Sequence, residues 1–203
     1  MNLIALQNSN LKNTLRVIVL LTCLLAVLGS QDALARQKDN RNPNWAQPVN
    51  LPESENFYQV TPWLFRSAQP TAAAFVAYEK FGIKTVINLR DKHSDRKHLR
   101  GGSSLNLIEI KVKTWDVDDE EVITVLRHLK TAPRPILIHC QHGADRTGTM
   151  IAMYRIVFEN WSKREALDEM MNGGFGFHRI WKNLPEYIND VDVQKIKKAV
   201  GIK

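Results

Sequence analysis

Hydrophobic and polar positions follow two different periods along the chain, and from residue 57 onward they predict a mixed α/β domain. Short apolar or alternating runs predict strands at Phe57–Val60, Trp63–Phe65, Ile83–Leu89, Ile108–Val112 and Ile136–His139. Helical spacing and helix-end residues predict helices over 72–81, 119–129, 147–161, 163–172 and 184–199. Strands that alternate with helices, followed by helices alone, favour a single domain with a central, mainly parallel sheet flanked by helices.

Capping residues mark the ends of two of these helices. Thr71 follows a proline and is a good N-cap, and Gly82 is a good helix stop. Asp118, with Glu121 three residues later, resembles a capping box at the start of the helix that contains Val122. These signals fix the expected helix boundaries more closely than the apolar spacing does.

The first 35 residues have the pattern of a secretory signal peptide. Lys12 and Arg16 precede the apolar run 17–28, and a small-x-small site ends at Ala35. The alternative is a membrane anchor, but twelve residues of helix span only about 18 Å, short of the ~30 Å hydrocarbon core. We therefore expect export to the bacterial periplasm or beyond, cleavage after Ala35, and no stable membrane anchor afterwards. Residues 36–56 are polar and contain three prolines, which indicates a loosely ordered lead-in.

Charge and cysteine content narrow the function classes. The 203-residue chain has a formal net charge of +7, which suggests an anionic partner. The basic stretches Arg90–Arg100 and Lys195–Lys198 lack the interleaved aromatic residues of a nucleic-acid surface, so no nucleic acid is expected.

Two cysteines are too few for a disulfide scaffold or a four-cysteine zinc site. Cleavage would remove Cys23, so Cys140 either lies inert in the core or is present for its chemistry.

A loop between the strand ending at His139 and the helix beginning near Thr147 reads His-Cys-Gln-His-Gly-Ala-Asp-Arg-Thr-Gly. A strand–loop–helix turn leaves the first N–H groups of the helix unpaired, and such groups bind anions. Cys140 lies at the base of this loop, where the positive end of the helix favours the thiolate. Arg146 offers a planar fork that matches two phosphate oxygens. The arrangement predicts attack of the Cys140 sulfur on phosphorus, with the phosphate bound by Arg146 and by the N–H groups of Gln141, His142, Gly143, Ala144 and Asp145.

These residues resemble the cysteine-dependent protein tyrosine phosphatase superfamily, whose signature is His-Cys-x5-Arg-Thr/Ser-Gly. The segments 64–70, 86–90, 153–156 and 173–176 are similar to compact bacterial dual-specificity phosphatases, including exported ones. The resemblance implies a protein tyrosine phosphatase fold over 57–203, a phosphocysteine intermediate, no metal or other cofactor, and a monomer. The implied substrates are phosphotyrosine proteins or small phosphate esters, and a shallow cleft would also admit phosphoserine and phosphothreonine.

The resemblance also implies a separate carboxylic acid that protonates the leaving group, on a loop before the cysteine. Asp116 is preferred because it lies outside the predicted helix, next to Trp115. Asp118 is better explained as a helix cap, but it stays an alternative. Asp145 is the third candidate, since some lipid phosphatases of the superfamily have an aspartate there, although its side chain is expected to point away from the phosphate.

Two residues beside the nucleophile have supporting roles by the same resemblance. Thr147 resembles the hydroxyl that donates to the cysteine sulfur, or it simply caps the helix. His139 either orients the loop through hydrogen bonds or is an ordinary core histidine. A metal site built from His139, Cys140 and His142 is disfavoured, because three ligands so close in one turn have no second cluster to complete the site.

Several functions remain open at this point. An inositol phosphate or phosphoinositide phosphatase would use the same fold, but such loops often contain lysines, whereas the variable positions here are Gln141, His142, Ala144 and Asp145. A non-catalytic phosphate-binding module is also possible in principle, yet binding alone does not need a thiolate. The charged run Arg90–Arg100 either flanks an acidic substrate or is a solvated connection between strands.

Overall fold

Six strands pair into one sheet in this computed structural model, which describes residues 41–99 and 102–202. The strands are β1 (Gln47–Pro48), β2 (Tyr58–Thr61), β3 (Leu64–Ser67), β4 (Thr85–Arg90), β5 (Asn106–Val112) and β6 (Ile136–His139). Their order is β1-β2-β3-β6-β4-β5. The last four in that order are parallel, and β1 and β2 add an antiparallel edge. The predicted mainly parallel sheet is confirmed, whereas the predicted signal peptide over 1–35 lies outside the described residues.

Six α-helices belong to the described residues. They are α1 (Ala72–Phe81), α2 (Asp119–Thr131), α3 (Asp145–Phe158), α4 (Lys163–Asn172), α5 (Asn183–Asp190) and α6 (Val193–Val200). Thr71 caps α1 by accepting from the Ala74 N–H, and Gly82 ends it in the left-handed region at φ 101°. No helix in this part of the chain is long and apolar enough to cross a membrane.

The prediction of one helix over 184–199 is wrong. The backbone turns out of the helical region at Val191 and Asp192, and the Asp192 side chain accepts from the N–H groups of Gln194 and Lys195. This N-cap starts a new helix, and the helical spacing of Leu184, Ile188 and Val191 ends at the break, since the next buried residue, Ile196, lies five positions on. The apolar spacing therefore described α5 but did not extend to α6.

The expectation that residues 36–56 are loosely ordered is wrong around β1. This strand pairs with β2, and the residue before it is buried. Ala46 is fully buried, and its N–H donates to the Glu169 carboxylate at 2.6 Å. Glu169 also forms a two-contact ion pair with Arg155, at 2.8 and 3.0 Å. A buried carboxylate needs such partners, and part of the lead-in supplies one of them.

Alternate residues of the central strands pack into two separate hydrophobic clusters. In β6, Leu137 joins the cluster of α1, whereas Ile136 and Ile138 join the larger cluster beneath α2 to α6. Both faces of the sheet are therefore covered, as parallel sheets require. Helix α3 is buried along almost its whole length, which fixes its N-terminus at the end of β6.

Candidate active site

The loop from Cys140 to Asp145 joins the end of β6 to the start of α3. Residues from the surrounding domain donate hydrogen bonds to three of its carbonyl groups. The carbonyl of Gln141 accepts from the Gln69 N–H at 3.0 Å. The carbonyl of His142 accepts from the Asn56 amide at 2.8 Å. The carbonyl of Gly143 accepts from the fully buried Arg66 guanidinium at 2.6 Å.

With three consecutive carbonyls held outward, the N–H groups are left for the inside of the loop. Within the described residues, the N–H groups of residues 141–144 have no hydrogen-bond acceptor. Gly143 has φ 68°, and a Cβ there would overlap the backbone of Ser67. Only glycine fits this close approach, and the resulting concave row of donors is suited to an anion.

Arg146 lies in the first turn of α3 and is braced by the ends of two neighbouring strands. Its Nη1 donates to the carbonyl of Val112 at 3.3 Å and lies 3.5 Å from that of Leu89. Its Nε is buried and has no acceptor among the described residues. Because an unsatisfied buried donor is costly, an oxyanion between Arg146 and the loop would supply the missing acceptor.

The Cys140 side chain is 2% exposed, and the histidine before it is part of a buried network. His139 Nε2 lies 2.7 Å from Asp95 Oδ2, and its Nδ1 lies 3.1 Å from the Cys140 carbonyl. Gln69 donates to the other Asp95 oxygen at 2.8 Å. Burial alone would raise the pKa of Asp95, but the hydrogen bond and charge of His139 and the bond from Gln69 together lower it. His139 thus links Asp95 to the Cys140 carbonyl, and its predicted role in orienting the loop stays a prediction.

Thr147 contributes a buried hydroxyl directly after the arginine. This hydroxyl has no hydrogen-bond partner among the described residues, and no hydrogen bond joins it to the Cys140 sulfur. Next to it, a Cβ on Gly148 would press against Met170 at 2.9 Å, which explains why the signature needs glycine there. The assistance of Thr147 to the sulfur remains a prediction.

The acidic candidates before α2 differ in their surroundings. Asp118 caps α2, with its Oδ1 accepting from the Glu121 N–H at 3.0 Å. Asp116 lies on the turn after β5, where its side chain is 71% exposed and 3.9 Å from the Lys113 ammonium. Asp118 is therefore engaged in the fold, whereas Asp116 is exposed and is not among the residues that line the pocket described below, so its role as the acid stays a prediction.

The third candidate, Asp145, is buried and is bonded to a histidine from beyond α4. The His178 N–H donates to Asp145 Oδ1 at 2.9 Å, and the His178 ring Nδ1 lies 2.9 Å from Oδ2. The amide of Asp145 is in the anion-binding loop, while its carboxylate is directed at His178. The side chain also borders the pocket described next, so it does not turn fully away from the cleft.

An open pocket of about 330 Å³ lies over the loop. Four of the residues that line it belong to the predicted phosphate-binding loop. One more comes from the turn after β5, and three come from the segment after α4. The lining residues are Gln141, His142, Asp145 and Arg146, with Thr114, His178, Ile180 and Trp181. The site therefore combines an anion-binding floor with one wall that is partly apolar.

Sequence reasoning missed four residues that shape this site, namely Asn56, Gln69, Asp95 and His178. Asp95 lies in the charged run 90–100, and no pattern distinguishes it from its solvated neighbours. Asn56 has a positive φ of 52° and braces both the loop and the carbonyl of Phe175. Such side chains act through tertiary contacts, which leave no local signal in a single sequence.

Comparisons with known proteins agree with this geometry. The profile described as "Tyrosine phosphatase family" matches residues 51–200. Dual specificity protein phosphatase TpbA of Pseudomonas aeruginosa is 38% identical over 177 residues, which cover 86% of this chain and 79% of that protein. The inositol diphosphatase SIW14 of Saccharomyces cerevisiae is 28% identical over 159 residues, covering 72% of this chain and 54% of that protein.

Solved structures of these two relatives are also similar to this protein. A crystal structure of a P. aeruginosa TpbA variant in complex with pTyr has a TM-score of 0.72 and 38% identity, over 80% of this chain and 99% of that one. The core catalytic domain of SIW14 has a TM-score of 0.64 at 24% identity, over 75% and 94% of the two chains, and shows the fold alone. Because the family profile covers most of the chain and TpbA is similar over nearly all of it, this protein belongs to the tyrosine phosphatase family.

Proposed function

We propose that this protein hydrolyses phosphate monoesters, with phosphotyrosine proteins as the main substrates, through a phosphocysteine intermediate on Cys140. The observation that carries the proposal is the loop itself. Its carbonyls are bonded outward, and within the part of the chain that the structure describes neither its N–H groups nor the buried Arg146 Nε has an acceptor. A phosphate dianion would satisfy all of these donors at once.

The reaction divides into two displacements at phosphorus. The Cys140 thiolate attacks the phosphorus, the S–P bond forms, and the bond from phosphorus to the ester oxygen breaks. Asp116 gives its proton to the departing oxygen, and then takes a proton from the water that cleaves the S–P bond. Loop N–H groups and Arg146 hold the equatorial oxygens in both steps, and inorganic phosphate leaves.

The pocket supports an aryl phosphate as the preferred substrate. Its apolar wall, formed by Ile180 and Trp181, can pack against a phenyl ring while the phosphate rests on the loop. TpbA is a dual specificity phosphatase with a structure in complex with pTyr, which supports the same substrate class here and extends it to phosphoserine and phosphothreonine. A ring with many phosphates fits less well, because the loop has no lysine and Asp145 borders the pocket.

The Cys140→Ser variant tests the chemistry. We expect the parent protein to hydrolyse an aryl phosphate in the presence of a chelator, and the variant to bind phosphotyrosine peptide without turnover. Side-by-side assays with phosphotyrosine peptide, phosphothreonine peptide and an inositol polyphosphate rank the substrates. Activity that survives the substitution would refute the phosphocysteine mechanism, and binding without turnover by the parent would favour a phosphate-binding module.

A matched pair of variants identifies the general acid. Asp116→Asn should slow the hydrolysis of phosphate esters with poor leaving groups far more than that of esters with good ones, because only poor leaving groups need a proton. Asp118→Asn is the control, since asparagine caps a helix as well as aspartate does. The assignment is wrong if the leaving-group dependence changes in Asp118→Asn and not in Asp116→Asn.

We further propose that the protein is exported and acts in the periplasm or outside the cell. The support is the order of Lys12, Arg16, the apolar run 17–28 and the small-x-small site ending at Ala35. N-terminal sequencing of protein recovered from the periplasmic fraction should begin at Arg36. Recovery of the intact N-terminus from the cytosol would contradict the proposal.

A further inference from the structure

Two histidines and a buried aspartate meet at the wall of the pocket, and the mechanism above uses none of their side chains. The residues are His142 from the loop, Asp145 from the first turn of α3, and His178 from the segment after α4. Each offers one ligand atom, and the three atoms lie within 4.8 Å of one another. It is the only such group of three or more histidine, cysteine, aspartate or glutamate residues within 41–99 and 102–202.

The three side chains are arranged in a way that suits a metal ion. The two imidazole rings contact each other, with centroids 5.1 Å apart. His178 Nδ1 lies 2.9 Å from Asp145 Oδ2, so these two ligand atoms are close enough to face one cation. The Asp145 carboxylate is 8% exposed and is held from its other oxygen by the His178 N–H. The site thus has one fixed ligand and two exposed rings that can adjust.

We propose that His142, Asp145 and His178 form a binding site for a Zn²⁺ ion, and that the bound ion inhibits turnover. Zinc bonds of about 2.0–2.1 Å in tetrahedral geometry place ligand atoms roughly 3.3 Å apart. The His178–Asp145 pair, at 2.9 Å, needs only a small separation to reach this distance, and rotation of the exposed His142 ring would bring in the third ligand atom. Two histidines and one carboxylate are a common zinc ligand set that leaves a fourth position for water.

Inhibition follows from where the ligands lie. His142 and Asp145 both belong to the phosphate-binding loop, and all three ligands line the pocket. An ion that ties the loop to His178 would occupy the pocket in which the proposed substrate binds.

Cys140 is the competing zinc ligand, because thiolates bind zinc strongly. His139 does not compete, since both of its ring nitrogens have partners and it is fully buried. The decisive measurement therefore uses the Cys140→Ser protein, which lacks this thiol. This choice also makes the test independent of the proposed phosphatase activity, because only binding is measured.

The experiment is calorimetric titration of Cys140→Ser protein with Zn²⁺ at neutral pH, with Mg²⁺ as a second probe. We expect one Zn²⁺ per chain and no Mg²⁺ binding, because Mg²⁺ prefers six oxygen ligands. His142→Ala and His178→Gln, each added to Cys140→Ser, should weaken zinc binding at least tenfold. His128→Ala on α2, outside the cluster, is the matched control and should leave it unchanged.

Three results would overturn the proposal. They are the absence of stoichiometric Zn²⁺ binding to Cys140→Ser, unchanged binding in both histidine variants, and an equal loss in the His128→Ala control. His142 is exposed, so His142→Ala keeps the test valid if His178→Gln does not fold. In the active protein, inhibition by Zn²⁺ that a chelator reverses should be weaker in His142→Ala, and undiminished inhibition there would contradict the assigned inhibitory role.

Discussion

Asp95→Ala is expected to destabilise the protein strongly, because Asp95 is a fully buried carboxylate that holds the side chain of His139. The substitution removes the hydrogen-bond partner of His139 Nε2 and of the Gln69 amide, at 2.7 and 2.8 Å. Leaving a buried polar group without its partner costs about 1–3 kcal/mol, and two groups lose their partner here. We therefore expect a loss of about 4 kcal/mol in the free energy of unfolding.

Asp95→Asn separates the hydrogen bonds from the charge. The asparagine carbonyl can still accept from Gln69, and its NH₂ can donate to His139 if that ring carries its proton on Nδ1, facing the Cys140 carbonyl. Only the charge-assisted part of the interaction is lost, so we expect a cost of roughly 1–2 kcal/mol. The order of stability should be parent, then asparagine, then alanine.

Urea unfolding followed by tryptophan fluorescence measures these differences. Asp190→Ala is the matched control, because this aspartate is exposed at the end of α5 and should change the stability by less than about 0.5 kcal/mol. A cost of less than 1 kcal/mol for Asp95→Ala would refute the reasoning, since the buried network would then contribute nothing beyond an exposed residue.

The pH dependence of the free energy of unfolding is a second test of the contact between Asp95 and His139. The pKa of Asp95 is lower in the folded protein than its ordinary value, so the unfolded chain binds the proton more readily. The stabilisation is present above about pH 4 and is lost as the pH falls through the folded pKa. The stability difference between the parent and Asp95→Asn should therefore shrink below about pH 4.

Three further outcomes follow from the structure. Gly143→Ala should abolish binding of phosphotyrosine peptide to the Cys140→Ser protein, because its Cβ would overlap the backbone of Ser67; calorimetry that finds unchanged affinity contradicts this. Asp192→Ala should lower the free energy of unfolding by about 1 kcal/mol through loss of the α6 cap, whereas Asp192→Asn should not. Glu169→Gln should cost about 1–3 kcal/mol in urea unfolding, because it removes one of the two carboxylates paired with the buried Arg155 and leaves only that of Glu159.

The elements that could be predicted are those with local signals at their ends. The bounds of α1 follow from Thr71 and Gly82, and those of α4 agree with the prediction, with Ser162 and Glu165 forming a capping box. Strand β6 is confirmed at Ile136–His139 because its apolar run is bounded by Pro135 and by the loop. In each case, residues at the ends of the element itself determine its boundaries.

The parts that could not be predicted depend on contacts distant in sequence. The signature loop identified Cys140 and Arg146, but Asn56 and Asp95, which bond the loop and His139, come from separate stretches of the chain. A charged run such as 90–100 is usually solvated, and burial of one aspartate within it depends on Gln69 and His139. Likewise, the prediction of one helix across α5 and α6 failed because Asp192 acts as a new N-cap, and an aspartate in an exposed position has no pattern that separates a cap from a helix interior.

The outward bonding of the loop carbonyls has a consequence for how the protein loses activity. The partners of those carbonyls are Arg66 within β3, Gln69 shortly after it, and Asn56 before β2. A peptide with the signature sequence alone would lack these three donors. Mutations or conditions that loosen β3 and its flanking residues should therefore disorganise the loop without any change in its own sequence.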